Sequence, residues 1–160
     1  MATKAEAALA RFQSLLGKEE GVSEWHQVKQ EQINLFADAT GDHQFIHVDP
    51  EKSAQLSPYK VTIAHGFLTL SLIPFLSGTV PPPDTQAFDG VFMGVNYGLD
   101  KVRFPSAVKV NSKVRARRKL IEAELKAPNS IQLKHEVTIE VDGESKPGCV
   151  AETLTRLMYA

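Results

Sequence analysis

Residues 65–76, His-Gly-Phe-Leu-Thr-Leu-Ser-Leu-Ile-Pro-Phe-Leu, are apolar almost all round. A helix without a polar face belongs in an interior. About 13 residues from His65 onward would extend roughly 20 Å, too short for a bilayer span of about 20 residues. Pro74 predicts a kink or an end to regular hydrogen bonding. Beyond the rigid Pro81-Pro82-Pro83 crossover the chain becomes strand-like, with candidate strands at 91–103, 109–123, 130–141 and 148–159. The third alternates cleanly, placing Ile131, Leu133, His135, Val137, Ile139 and Val141 on one face. Pro128-Asn129 and Asp142-Gly143 supply the turns. An antiparallel sheet needs one face covered, and the 66–76 segment is the one apolar enough to cover it. The prediction is an α+β fold in which a curved antiparallel sheet wraps that helix.

Upstream, residues 1–17 have helical periodicity through Ala7, Leu9, Phe12, Leu15 and Leu16. Glu6 interrupts any continuous apolar run, so no signal-peptide pattern is read there. Residues 23–28 read as a short strand. Ile33, Phe36, Ala37 and Thr40 recur with helical spacing over 30–40, and Gly41 suits the left-handed position that ends such a helix. Asp49-Pro50 reads as N-cap and first residue of a short helix to about Leu56. Residues 42–48 are then a connection fixed at both ends, with Phe45 and Ile46 expected to tuck inward and pin it.

The chain has 160 residues and a formal net charge of −1. Charges of both signs are scattered, which excludes a nucleic-acid face or an anionic-membrane face. The short cluster Arg115–Lys119 reads as a solvated strand face. The single cysteine, Cys149, rules out an internal disulfide and a Cys-rich zinc site, and its apolar neighbours make it a buried small hydrophobe. These features lead to the expectation of a soluble, cytoplasmic protein.

The chemistry concentrates in Asp-Ala-Thr-Gly-Asp-His-Gln-Phe-Ile-His-Val-Asp-Pro, residues 38–50, which place Asp42 and His47 five positions apart. One reading is local: an Asx-turn from Asp42 and a core-satisfied imidazole at His47. The other is proton transfer near neutral pH by an imidazole with a carboxylate beside it. His43 and His47 have the four-residue spacing of a zinc helix, but they follow a helix stop and lack a third ligand, so no metal is assigned. His26 is isolated, His135 reads as a core or interface residue, and His65 as support for the helix start. Gly66 is unfavourable early in a helix. Either it packs closely against a strand, or its N–H at the positive helix end meets a carbonyl oxygen.

Phe36-Ala37-Asp38-Ala39-Thr40-Gly41-Asp42-His43-Gln44-Phe45-Ile46-His47-Val48-Asp49, followed by Thr62-Ile63-Ala64-His65-Gly66, resembles the MaoC-like (R)-specific enoyl-CoA hydratases. Residues 95–105, Val-Asn-Tyr-Gly-Leu-Asp-Lys-Val-Arg-Phe-Pro, resemble the branch close to nodulation protein N. The likeness covers about residues 20–160 of a single domain, leaving 1–20 as an N-terminal helical extension. It implies a hotdog fold, a homodimer, water activation by Asp42 and His47, and a thioester oxygen received by the Gly66 N–H. Coenzyme A is implied as the substrate carrier, with no separate cofactor. One departure is Pro74, where some relatives carry an active-site serine; Ser71 is near but not at that position. Asn96 and Tyr97 are candidate substrate contacts, and Lys101 and Arg103 are candidates for the coenzyme phosphates or merely an exposed strand edge. An acyl-CoA thioesterase and a non-catalytic acyl-thioester binder are the competing functions. For the homodimer, strand 131–141 is the expected pairing edge.

Overall fold

The computed structural model describes residues 1–160. Its four long strands are β3 (Val91–Arg103), β4 (Lys113–Ala127), β5 (Ser130–Val141) and β6 (Cys149–Tyr159). With the short β1 (Glu19–Val22) they form one antiparallel sheet in the order β1-β4-β5-β6-β3, and β2 (His26–Gln27) also pairs with β4. The alternating residues of β5 are all buried from Ile131 to Val141, as the period-two pattern requires. Of the segment expected as a strand at 23–28, only His26–Gln27 is one, as β2; β1 precedes it at Glu19–Val22. The strand expected from 109 starts at Lys113, because Asn111 takes a left-handed conformation (φ 68°) in the preceding turn.

The strand order overturns the expected pairing edge. β5 lies between β4 and β6, hydrogen-bonded on both sides, and cannot accept a partner. The long free edge is β3, which pairs only with β6. Alternation reports which face a strand buries and carries no information about its neighbours.

The helices are α1 (Lys4–Ser14), α2 (Gln30–Thr40), α3 (Phe45–Val48), α4 (Pro50–Leu56), α5 (Gly66–Ser71) and α6 (Ile73–Ser77). Gly41 ends α2 at φ 81°, and the Asp49 carboxylate caps α4 through the Lys52 N–H. The expected central helix is thus two short helices meeting at Leu72. Pro74 explains the break, since its ring removes one N–H and crowds the carbonyl a turn earlier. Nor is the segment buried all round. Leu68, Leu72, Ile73 and Leu76 are buried, whereas Phe67 and Phe75 are 68% and 57% exposed.

The concave face of the sheet carries two apolar clusters. One joins Val114, Ala116, Val137, Ile139 and Ala151 to the α5–α6 segment. The other joins Leu120, Ile131, Leu133, Leu157 and Tyr159 to Ala5, Ala8 and Phe12 of α1. The N-terminal helix therefore packs on the same sheet, opened by a Thr3/Glu6 capping box. Cys149 is fully buried, and burial pushes its thiol up to about 11. No helix is long and apolar enough to cross a membrane.

Candidate active site

The loop between α2 and α4 carries the expected acid/base pair, and three ties hold it. The Gln30 amide donates to the His47 carbonyl oxygen at 2.7 Å, while its own oxygen accepts from the Thr62 hydroxyl. The Ile63 N–H donates to the Ile46 carbonyl at 2.9 Å. Within α3 the buried residue is His47, whereas Phe45 and Ile46 are only half-buried.

His47 Nδ1 lies 2.7 Å from the Ile63 carbonyl oxygen. A carbonyl can only accept, so Nδ1 carries the hydrogen and, in the neutral ring, Nε2 presents its lone pair. Burial pushes the His47 pKa below the usual imidazole value. The Ile63 hydrogen bond and the Asp42 charge oppose that shift, while neighbouring His65 adds to it. Asp42 does form an Asx-turn, its Oδ1 accepting from the Gln44 N–H at 3.3 Å, yet its side chain remains 52% exposed. Local capping and availability for chemistry thus coexist in one residue.

His65 is the residue that sequence reasoning undervalued. It is buried, stacks on His47 with ring centroids 3.8 Å apart and 23° between planes, and its Nε2 donates to the Asp42 carbonyl oxygen at 2.9 Å. Its Nδ1 has no hydrogen-bond partner. The signal in the sequence was its place immediately before Gly66. Ligand atoms of Asp42, His47 and His65 all lie within 4.8 Å of one another, a set that could take up a divalent cation. An ion bound through His65 Nε2 would displace the bond to the Asp42 carbonyl. His43 does not join this set; it pairs with Asp38 at 2.8 Å, and that hydrogen bond raises its pKa.

Gly66 is the first residue of α5, so its N–H has no acceptor within the helix. A Cβ there would come within 3.1 Å of the Phe104 ring. Close packing is therefore one reason for this glycine, and it follows directly on His65, which stacks on His47. Pro74 sits in the first turn of α6, where its missing N–H is harmless. Ser71 Oγ donates to the Phe67 carbonyl at 2.6 Å.

The other expected contacts separate along β3. Asn96 and Tyr97 line a cavity of about 730 Å³ between the α5–α6 segment and the sheet. The Arg156 guanidinium lies 3.8 Å above the Tyr97 ring. Lys101 is exposed and 3.9 Å from Glu152. Arg103 is exposed, donates to the Val102 carbonyl oxygen at 2.7 Å and precedes Phe104, whose ring packs at Gly66. The Arg115–Lys119 cluster is only partly a solvated face. Arg115 and Arg117 pair with Glu140, and Lys119 lies 3.5 Å from Glu136, but Arg118 points into the cavity.

A curved antiparallel sheet around a central helical segment is the arrangement of a hotdog fold. Residues 11–142 match the family model described as the MaoC like domain. The chain is 46% identical over 149 residues to 3-hydroxyacyl-thioester dehydratase Z of Mycobacterium tuberculosis strain H37Rv, covering 93% of this chain and 95% of the relative. It is also 46% identical over 154 residues to nodulation protein N of Rhizobium leguminosarum, covering 96% and 93% of the two chains. Among solved structures, the unliganded R-hydratase PhaJ1 of Pseudomonas aeruginosa superposes with a TM-score of 0.66 at 23% identity, over 91% of this chain and 83% of that one. The chain belongs to the MaoC-like dehydratase family and is an enzyme of the hydratase/dehydratase class.

Proposed function

We propose that this protein catalyses reversible syn hydration of a trans-2-enoyl thioester to the (R)-3-hydroxyacyl thioester, with coenzyme A as the carrier. The observation that carries this reading is the His47 tautomer: Nδ1 held on the Ile63 carbonyl at 2.7 Å turns a lone pair on Nε2 toward the site shared with Asp42. Water adds at C3 of the substrate while C2 gains a proton on the same face. Asp42 and His47 act as a unit, holding the water, taking one of its protons and returning a proton to C2. Negative charge builds on the thioester oxygen during addition, and the Gly66 N–H stabilises it. All these groups come from one chain.

Asp42→Asn and His47→Gln should each lower crotonyl-CoA hydration by about 10²–10⁴-fold, the usual contribution of a positioned acid or base. Their folds should stay intact by circular dichroism. Near-normal rates in both variants would refute the assignment. The same incubation distinguishes a thioesterase, which would release free thiol, and a passive binder, which would show saturable binding with no loss of the conjugated absorbance.

The working form is read as a two-fold homodimer joined through β3. That free edge bears Phe92, Met93, Val95, Tyr97 and Leu99, all exposed, beside exposed Phe67 and Phe104. A long apolar edge strand of this kind associates readily, and a closed two-fold is the commonest solution.

A further inference from the structure

The apolar lining of the concave sheet is interrupted by one polar row. On β4, β5 and β6 the apolar positions stop at Ala116, Val137 and Ala151 and resume at Leu120, Leu133 and Leu157. Between them stand Arg118, His135, Thr153 and Thr155, and all four line the 730 Å³ cavity. The row runs diagonally across the strands: His135 pairs with Thr153 and Thr155 with Asn96 of β3, Arg118 reaches His135 from its register position opposite Val137, and Thr155 stands opposite Leu133. Opposite it, Ser77 of α6 holds a buried hydroxyl oxygen with no hydrogen-bond partner.

Charge in this row is already balanced. Arg118 Nε lies 2.8 Å from Glu20 Oε2 as an ion pair without a hydrogen-bonding angle, and His135 Nε2 is 2.8 Å from Glu20 Oε1 and 2.7 Å from Arg118 Nη2. Burial pushes His135 below the usual imidazole value. For Glu20 burial acts upward, but the His135 hydrogen bond and the Arg118 charge outweigh it and hold the carboxylate low. The Arg118 cation is thus already paired with the Glu20 carboxylate. An anionic ligand would bring an uncompensated charge, and a plain hydrocarbon would dehydrate hydroxyl and amide groups without replacing their partners.

The cavity lies along the reading of the active site given above, on which this inference rests. Its walls run from Leu70 to Gly78 on the segment that starts at Gly66. Asp42, His47 and Gly66 are not among its lining residues; the first lining residue, Leu70, stands about one helical turn, roughly 6 Å, beyond Gly66 in α5. An extended chain advances roughly 1.2 Å per bond, so an acyl group of about ten carbons is long enough to extend from Gly66 past Leu70 into this cavity.

We propose that the acyl subsite selects a chain carrying a neutral oxygen substituent, a hydroxyl or keto group, several carbons beyond the thioester. Thr153, Thr155, Asn96 and Ser77 supply its hydrogen bonds. The test compares three enoyl-CoA substrates of about ten carbons: a plain chain, one with a hydroxyl near its far end, and one ending in a carboxylate. The expected result is a kcat/KM roughly tenfold higher for the hydroxylated chain than for either other. The double variant Thr153→Val/Thr155→Val should bring the ratio of hydroxylated to plain chain toward one, while Thr155→Ser should preserve it. Equal or greater rates on the plain chain, or on the carboxylate, would overturn the inference while leaving hydration standing. Absence of turnover on all three and on crotonyl-CoA would instead remove the hydratase reading beneath it.

Discussion

Replacing His65 tests how far the acid/base pair depends on a residue that need not touch substrate. His65 contributes a 2.9 Å hydrogen bond to the Asp42 carbonyl and a stacked contact with His47 at 3.8 Å. A net hydrogen bond contributes about 1 kcal/mol and an aromatic pair about 0.5–1.5 kcal/mol. His65→Leu loses both, so stability should fall by about 2 kcal/mol, roughly 4–8 °C in Tm for a chain of this size. The loop carrying Asp42 is then released at one point. Displacement of a reacting group by about 1 Å can cost about 10²-fold, so kcat should drop between tenfold and a hundredfold with little change in KM. His65→Gln, which can keep a donor near the Asp42 carbonyl, should retain more activity. A purely structural role would end there, but His65 also holds the His47 pKa down through its charge. Without it the His47 pKa rises, so the acid limb of the kcat/KM profile for crotonyl-CoA should move to higher pH in both variants. An unmoved acid limb, with kcat within about twofold of wild type in folded His65→Leu, would refute the positioning argument.

Stability should fall as pH drops below about 6.5, where the unfolded chain's histidines take up protons. His47 and His135, whose folded pKa values burial depresses, stay neutral until lower pH. Thermal denaturation at a series of pH values checks this, and a flat Tm between pH 7 and 5 would contradict it. Arg103→Ala should raise KM for an enoyl-CoA and flatten its salt dependence, since the coenzyme phosphates are screened by ions; an unchanged KM at low salt moves the phosphate contact elsewhere. Val95→Arg at the centre of the β3 edge should convert a dimeric mass in light scattering to a monomeric one, and a monomeric wild type at micromolar concentration would remove the dimer. Mixing Asp42→Asn and His47→Gln subunits should restore no activity, because one chain assembles the pair.

Local signals in the sequence settled the bounds of the loop that holds Asp42 and His47. Gly41 stops one helix at a left-handed position and Asp49-Pro50 starts the next, both through backbone geometry that depends on neighbours a few residues away. The same is true of β5, whose alternation names its buried face, and of the break near Pro74, a steric consequence of one ring. For Asp42, His47 and Gly66, residue type and spacing left a local structural reading open beside the chemical one, and the roles proposed for them come from the family resemblance. Tertiary structure decided what depends on partners distant in the chain. It set β5 in the middle of the sheet and left β3 at the edge, because alternation is the same for a central strand and an outer one. Stacking of His65 on His47 was hidden because 18 positions separate them and a turn at 57–62 folds one onto the other. The polar row of Arg118, His135, Thr153 and Thr155 comes from three strands, each with only one or two polar residues among apolar neighbours. Cross-strand pairing sets His135 against Thr153 and brings Arg118 and Thr155 to diagonal positions beside them, because hydrogen bonding between strands, and not order along the chain, determines which side chains meet.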